Sequence, residues 1–103
     1  MKVLFICNQN QNRSKFAEEL FRNEFETRSA GLYNETPVTA KDLHWADVVA
    51  VMDEEQRKEL SHRFPKEYLA KRIVCLDILD IYAYGQAELK ELLDEKVTAL
   101  LQP

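Results

Sequence analysis

The sequence is short of cysteine, has no excess of positive charge and has no long apolar run. Each shortage excludes something. Its two cysteines, Cys7 and Cys75, lie in separate apolar segments with no cluster of ligating side chains around them. That excludes zinc-ligand spacing and a disulfide framework, and it points to a reducing, cytoplasmic setting. The formal net charge is -4, whereas a nucleic-acid binder usually carries a basic face. No nucleic-acid partner is therefore expected. The apolar stretch near the start, Val3 to Cys7, turns polar at once. It is too short for a signal-peptide core or a membrane span, so no membrane partner is expected. Repeats, low-complexity tracts and linkers are also lacking. The 103 residues suit one domain, 1–103, and 46% apolar with 31% charged residues suits a folded chain.

Apolar blocks alternate in period along the chain. Val3 to Cys7 is a continuous run, which fits a strand covered on both faces. Phe16, Ala17, Leu20, Phe21 and Phe25 recur at helical spacing, predicting a helix from about Ser14 to Glu26. Thr27 to Ala30 reads as a strand with a turn at Gly31, and Thr36-Pro37 as a loop. Thr39 can cap a short helix to Trp45, and Ala46 to Met52 reads as a second buried strand. Asp53 can cap a charged helix from Glu54 to Phe64, ended by Pro65. Arg72 to Ile78 is a further strand, and Glu88 to Leu101 a final amphipathic helix. This alternation predicts an α/β fold of three layers, a four-stranded parallel sheet with helices on both faces. Ligands of such sheets bind beyond the carboxyl ends of the strands. The segments after Cys7 and after Leu76 both fall at that edge.

The segment Cys7-Asn8-Gln9-Asn10-Gln11-Asn12-Arg13-Ser14 has the composition of an anion cradle. Five residues between a cysteine and an arginine can wrap a tetrahedral oxyanion with successive backbone N–H groups. The helix that follows adds its free N–H groups and the positive end of its dipole. The Arg13 guanidinium can grip two oxygens with a planar fork. The same donors, with the Ser14 hydroxyl, favour the anionic form of the Cys7 sulphur, and that form is the nucleophile. The alternative is a buried, inert cysteine followed by a polar turn.

The sequence resembles the low-molecular-weight protein tyrosine phosphatase family, and in particular a compact bacterial-type branch. The resemblance rests on Val3-Leu4-Phe5-Ile6-Cys7, Asn10, Arg13-Ser14 and Ala17-Glu18. It continues at Ser29-Ala30-Gly31, Thr36-Pro37 and Trp45-Ala46-Asp47-Val48-Val49 leading to Met52-Asp53. It implies phosphomonoester hydrolysis through a phosphocysteine, without cofactor or metal. Cys7 would be the nucleophile and Arg13 the oxyanion partner, with residues 8–14 binding phosphate (Asn8, Gln9, Asn10, Gln11, Asn12, Arg13 and Ser14). Inorganic phosphate or sulfate should occupy the loop, and a phosphotyrosine protein or small aryl phosphate should be the substrate. Two departures stand out. Gln9 replaces the family's usual glycine, so Gln9 and Asn10 must supply any left-handed backbone, which Asn tolerates better. Asn12 replaces a second cysteine that many members carry, so no protective disulfide is expected.

Thiolate attack on a phosphate ester also needs an acid for the departing oxygen. The family's acid loop reads Asp-Pro-Tyr. Asp80, followed by Ile81 and Tyr82, matches it best, with Asp77 as the runner-up. Tyr82, with Tyr84 near it, could wall a flat substrate ring. Ser29 is a candidate brace for the cysteine loop. His44 and His62 are expected to be solvated, Trp45 to belong to the core, and Glu18 and Glu19 to cover the exposed face of the first helix. Rival readings are a phosphate-binding module without turnover, an arsenate reductase and a phosphocysteine carrier. The reductase would need further cysteines, and the carrier does not call for Arg13.

Overall fold

A computed structural model describes residues 1–101. The order is β1 (Lys2–Cys7), α1 (Arg13–Leu20), β2 (Glu26–Gly31), α2 (Ala40–Trp45), β3 (Val48–Val51), α3 (Glu54–Arg63), α4 (Pro65–Ala70), β4 (Arg72–Cys75) and α5 (Ala87–Leu101). The four strands form one parallel sheet in the order β2-β1-β3-β4. β1 and β3 are central, which explains their unbroken apolar runs. Successive strand residues face opposite sides, so a central strand must be covered on both.

The two faces sort cleanly. Val3, Phe5 and Cys7 pack with Ala17 and Phe21 beside α1 and with Leu89, Leu93 and Val97 of α5. Leu4, Ile6, Val49 and Val51 pack with Leu43 of α2, Leu60 of α3, and Phe64 and Tyr68 beside and within α4. Fully burying one Leu, Val or Phe side chain is worth about 1.5–3 kcal/mol, so neither face could be left open. The expected three-layer α/β arrangement is the one observed.

Thr39 and Asp53 cap their helices as expected, each in a reciprocal capping box. Several boundaries differ. α1 ends at Leu20, not near Glu26, because Phe21 leaves helical geometry (φ -106, ψ 8). Phe21 and Phe25 still face the core from the following turn, where the Phe25 N–H donates to the Phe21 carbonyl at 3.0 Å. Pro65 ends α3 but also opens α4, a helix the sequence reading lacks. A first-turn proline gives up an N–H that would be unpaired anyway. β3 is shorter than Ala46–Met52, and β4 stops at Cys75, not Ile78. Asp77 takes a left-handed backbone (φ 56), which breaks the extended run. Among the described residues, no helix is long and apolar enough to cross a membrane.

Candidate active site

β1 has β2 on one side and β3 on the other, so the chain's crossovers part above the carboxyl ends of β1 and β3. Open parallel sheets bind ligands at such a point. There the chain leaves β1 at Cys7 and winds through residues 8–12 into α1. Backbone bonds from beyond β2 anchor the start of this loop. The Leu32 N–H donates to the Cys7 carbonyl at 3.0 Å, and the Tyr33 N–H to the Asn8 carbonyl at 2.9 Å. Gly31 lies opposite Cys7 in register. A Cβ on Gly31 would stand 2.9 Å from the Asn8 carbonyl oxygen, so the loop rests directly on strand backbone.

The Cys7 side chain belongs to the main core cluster and is only 4% exposed. The Asn10 N–H donates to its sulphur at 3.2 Å, and the Ser14 hydroxyl oxygen lies 2.9 Å from it. Asn10 is aimed by a left-handed backbone (φ 54), while Gln9 is not among the residues of positive φ. Asn10 thus absorbs the whole conformational demand that the missing glycine raised. Ser14 also bonds Asn10 Oδ1 at 2.8 Å. The hydroxyl has one proton, which can serve either partner. If it goes to Asn10, the thiol S–H can donate to Ser14. If the sulphur is anionic, the hydroxyl turns to it, and a rotated Asn10 amide can donate to the hydroxyl oxygen.

Arg13 is 2% exposed. Its Nη1 donates to the Ile78 carbonyl at 2.7 Å, which pins the guanidinium beneath the loop after β4. Its Nε is buried with no hydrogen-bond partner among the described residues. Two carboxylates stand near, Asp53 at 3.6 Å from Nη1 and Asp80 at 3.6 Å from Nε. Leaving a buried donor unpaired costs about 1–3 kcal/mol. An anion placed against Nε would relieve that cost.

Cys7, Asn8, Gln9, Gln11, Asn12, Arg13 and Asp80 line one hollow of about 60 Å³. A water needs roughly 10–15 Å³ of such space, so the hollow holds about four to six atoms, the size of one tetrahedral oxyanion. Two open hollows of about 500 and 520 Å³ are lined by neither cysteine nor arginine.

The other candidates are placed as follows. Asn10 and Ser14 hold the sulphur and do not line the hollow. Asp80 borders it, whereas Asp77 is exposed and lies outside its lining. Tyr82 is half-buried against the main core cluster. Tyr84 packs at a tilt against Phe16, ring centroids 5.2 Å apart, and its hydroxyl bonds the Glu19 carboxylate. Ser29 braces no part of the cysteine loop: its hydroxyl donates to Glu18, so Glu18 faces β2 and not open solvent. Trp45 is half-buried with Arg28 4.2 Å above its ring. Cys75 lies on the opposite face of the sheet from Cys7, with β3 between their strands.

Sequence reasoning missed Gln56. This buried residue accepts from the Met52 N–H at 2.7 Å and donates from Nε2 to Asn8 Oδ1 at 3.0 Å. It ties the β3–α3 turn to the cysteine loop. Asp53-Glu54-Glu55-Gln56 announces a cap, but nothing local says that the glutamine amide reaches a residue so distant in sequence. Asp53 carried only its capping signal, and its place beside Arg13 was likewise invisible.

Sheet order and crossovers together define a small α/β protein with a loop-bounded hollow at the carboxyl edge of its parallel sheet. The chain has the fold of the low-molecular-weight protein tyrosine phosphatases. It matches the Vibrio cholerae O395 low-molecular-weight phosphotyrosine phosphatase with a TM-score of 0.80 and 20% identity, over 98% of this chain and 94% of that one. It matches the YwlE arginine phosphatase of Geobacillus stearothermophilus at 0.74 and 21%, over 98% and 92%. It matches the tyrosine phosphatase Wzb of Escherichia coli K30, solved with phosphate, at 0.76 and 19%, over 95% and 94%. No family model matches the chain, and comparison with curated sequences finds no match.

Proposed function

We propose that this chain is a cysteine-dependent phosphatase acting on phosphate monoesters, with a phosphotyrosine protein or small aryl phosphate as substrate. The observation that carries the proposal is one anion-sized hollow in which Cys7, Arg13 and Asp80 meet. The phosphate held by the Escherichia coli neighbour supports it.

In the first step the Cys7 sulphur attacks phosphorus and forms an S–P bond. The bond to the ester oxygen breaks, and Asp80, protonated, gives that oxygen its proton, so an alcohol or phenol leaves. Arg13 and the loop N–H groups hold the equatorial oxygens and stabilise the charge that builds on them. In the second step Asp80, now a carboxylate, takes a proton from water as the water attacks phosphorus. The S–P bond breaks, releasing inorganic phosphate and the thiolate. Asp77 lies outside the hollow's lining, which favours Asp80 as the acid.

The test is p-nitrophenyl phosphate hydrolysis by the wild type, Cys7→Ser, Arg13→Ala, Asp80→Asn and Asp77→Asn. Cys7→Ser and Arg13→Ala should abolish turnover. Asp80→Asn should lower it less, because p-nitrophenolate departs readily as an anion, but should lower phenyl phosphate hydrolysis by about 10²–10⁴-fold, the usual contribution of a general acid; Asp77→Asn should leave both near wild type. Undiminished activity in Cys7→Ser would end the reading. Tight phosphate binding without any wild-type turnover would leave a phosphate-binding module.

A further inference from the structure

Asn12 forgoes one role to play another. It stands at the N-cap of α1, where an asparagine side chain ordinarily accepts from the helix's own first N–H groups. Its side chain makes no such bond here. Its Oδ1 accepts from the Tyr84 backbone N–H, 3.1 Å away and 72 residues along the chain. An unmade cap gives up some helix stability. Local rules are most often broken in this way at functional sites.

Tyr84 closely follows Asp80, and α1 holds it at two further points. Its ring packs at a tilt against Phe16, and its hydroxyl bonds Glu19. Asn12, Phe16 and Glu19 fall at positions that share one side of a helix. Elsewhere in the loop Tyr82 packs on the main core cluster, but the residues around Asp80 are loosely held. Leu79 and Ile81 are 68% and 70% exposed, so they contribute little burial. Asp80 itself is 60% exposed, and among the described residues its side chain's one tie is the 3.6 Å ion pair with Arg13, beyond hydrogen-bond range. Asn12 also belongs to the lining of the hollow, so a single residue joins that site to the segment that carries Asp80.

We propose that Asn12 is a positioning residue. Through the Tyr84 N–H it clamps the Asp80 loop to the start of α1 and keeps that carboxyl above Cys7. This proposal rests on the phosphatase reading, in which Asp80 protonates the leaving group. Losing the clamp would let the acid drift from the site, while Arg13 and the loop N–H groups would still bind phosphate.

The test compares Asn12→Ala on two substrates. Phenyl phosphate needs its leaving oxygen protonated, whereas p-nitrophenolate departs far more readily as an anion. A positioned acid supplies about 10²–10⁴-fold, so partial loss should lower kcat/KM on phenyl phosphate by about tenfold or more, lower it on p-nitrophenyl phosphate by less than about threefold, and leave inhibition by inorganic phosphate within about twofold. Tyr84→Ala, which keeps this N–H and removes only the ring and hydroxyl contacts, should show a smaller loss on phenyl phosphate. The double variant Asn12→Ala/Asp80→Asn should be no slower than Asp80→Asn alone, since Asn12 acts through Asp80. Equal losses on both substrates, or losses that multiply in the double variant, would overturn the proposal. A wild type without Cys7-dependent turnover would defeat the phosphatase reading separately. Amide hydrogen exchange still decides the clamp in that case: peptides covering 80–86 should exchange faster in Asn12→Ala, and unchanged exchange would refute it.

Discussion

Replacing Gly31 by alanine perturbs the cysteine loop from behind, without changing any residue of the loop itself. The added Cβ would meet Asn34 Oδ1 at 2.7 Å and the Asn8 carbonyl oxygen at 2.9 Å. The Asn34 amide ends a side chain and can swing away. The Asn8 carbonyl cannot, because it is backbone and already accepts from the Tyr33 N–H at 2.9 Å. The loop must therefore move outward by about 0.3–0.5 Å to restore normal contact distance. Overpacking of this kind costs about 1–3 kcal/mol. Alanine restricts the unfolded chain and returns about 0.4–1 kcal/mol, so destabilisation wins. Small proteins lose about 1–3 kcal/mol per molar urea, so the unfolding midpoint should fall by about 0.5–1.5 M. Misplacing reacting groups by 1 Å can cost about 100-fold in rate, so a shift of a third to a half of that should lower kcat/KM by about fivefold to tenfold. Urea unfolding and p-nitrophenyl phosphate kinetics on the same preparation measure both effects. A Gly31→Ala protein that unfolds with the wild type and turns over at its rate would refute this picture of a loop seated on the strand.

The two cysteines should differ in chemistry. Burial is the main influence pushing the Cys75 thiol up from its ordinary range, so at neutral pH it holds less of the reactive thiolate. Iodoacetate at pH 7 should modify Cys7 at least about tenfold faster than Cys75, and added phosphate should protect Cys7 alone. Tryptic mapping reads both results; preferential labelling of Cys75 would refute this difference in reactivity, and a Cys7–Cys75 disulfide after peroxide would contradict their placement on opposite faces of the sheet. Tyr84 should lose its phenolic proton later than an ordinary tyrosine, because its hydrogen bond to the Glu19 carboxylate raises its pKa. Whatever this bond contributes to holding the loop is fully present below the unfolded value of about 10 and is lost as pH rises through the higher folded value. Tyrosinate absorbance should therefore show a late-titrating group that Tyr84→Phe removes and Glu19→Gln shifts downward. An unchanged curve in Glu19→Gln would rule out that bond.

Legibility in the sequence followed the range of the interactions. Strands and helices with strong apolar periods were readable, because the period reflects a face each element must bury. The caps at Thr39 and Asp53 were readable because a cap bonds residues three apart. The end of α1, the start of α4 and the early end of β4 were not. Each depends on where the chain must turn to meet a neighbour, and Pro65 and Asp77 are compatible with more than one continuation.

The candidate site divides along the same line. The order Cys7 to Ser14, after an apolar run and before a helix, determined by itself that a thiol, a guanidinium and a row of amides would lie within one loop. Spacing along a few residues sets that proximity whatever the rest of the chain does. Only the tertiary structure decided that Gln56 would hold Asn8, that the Ile78 carbonyl would pin Arg13, that Asp80 would border the hollow while Asp77 would not, and that Asn12 would reach Tyr84. These partners are far apart in sequence, and the parallel sheet, by bringing the carboxyl ends of its strands to one edge, makes them neighbours.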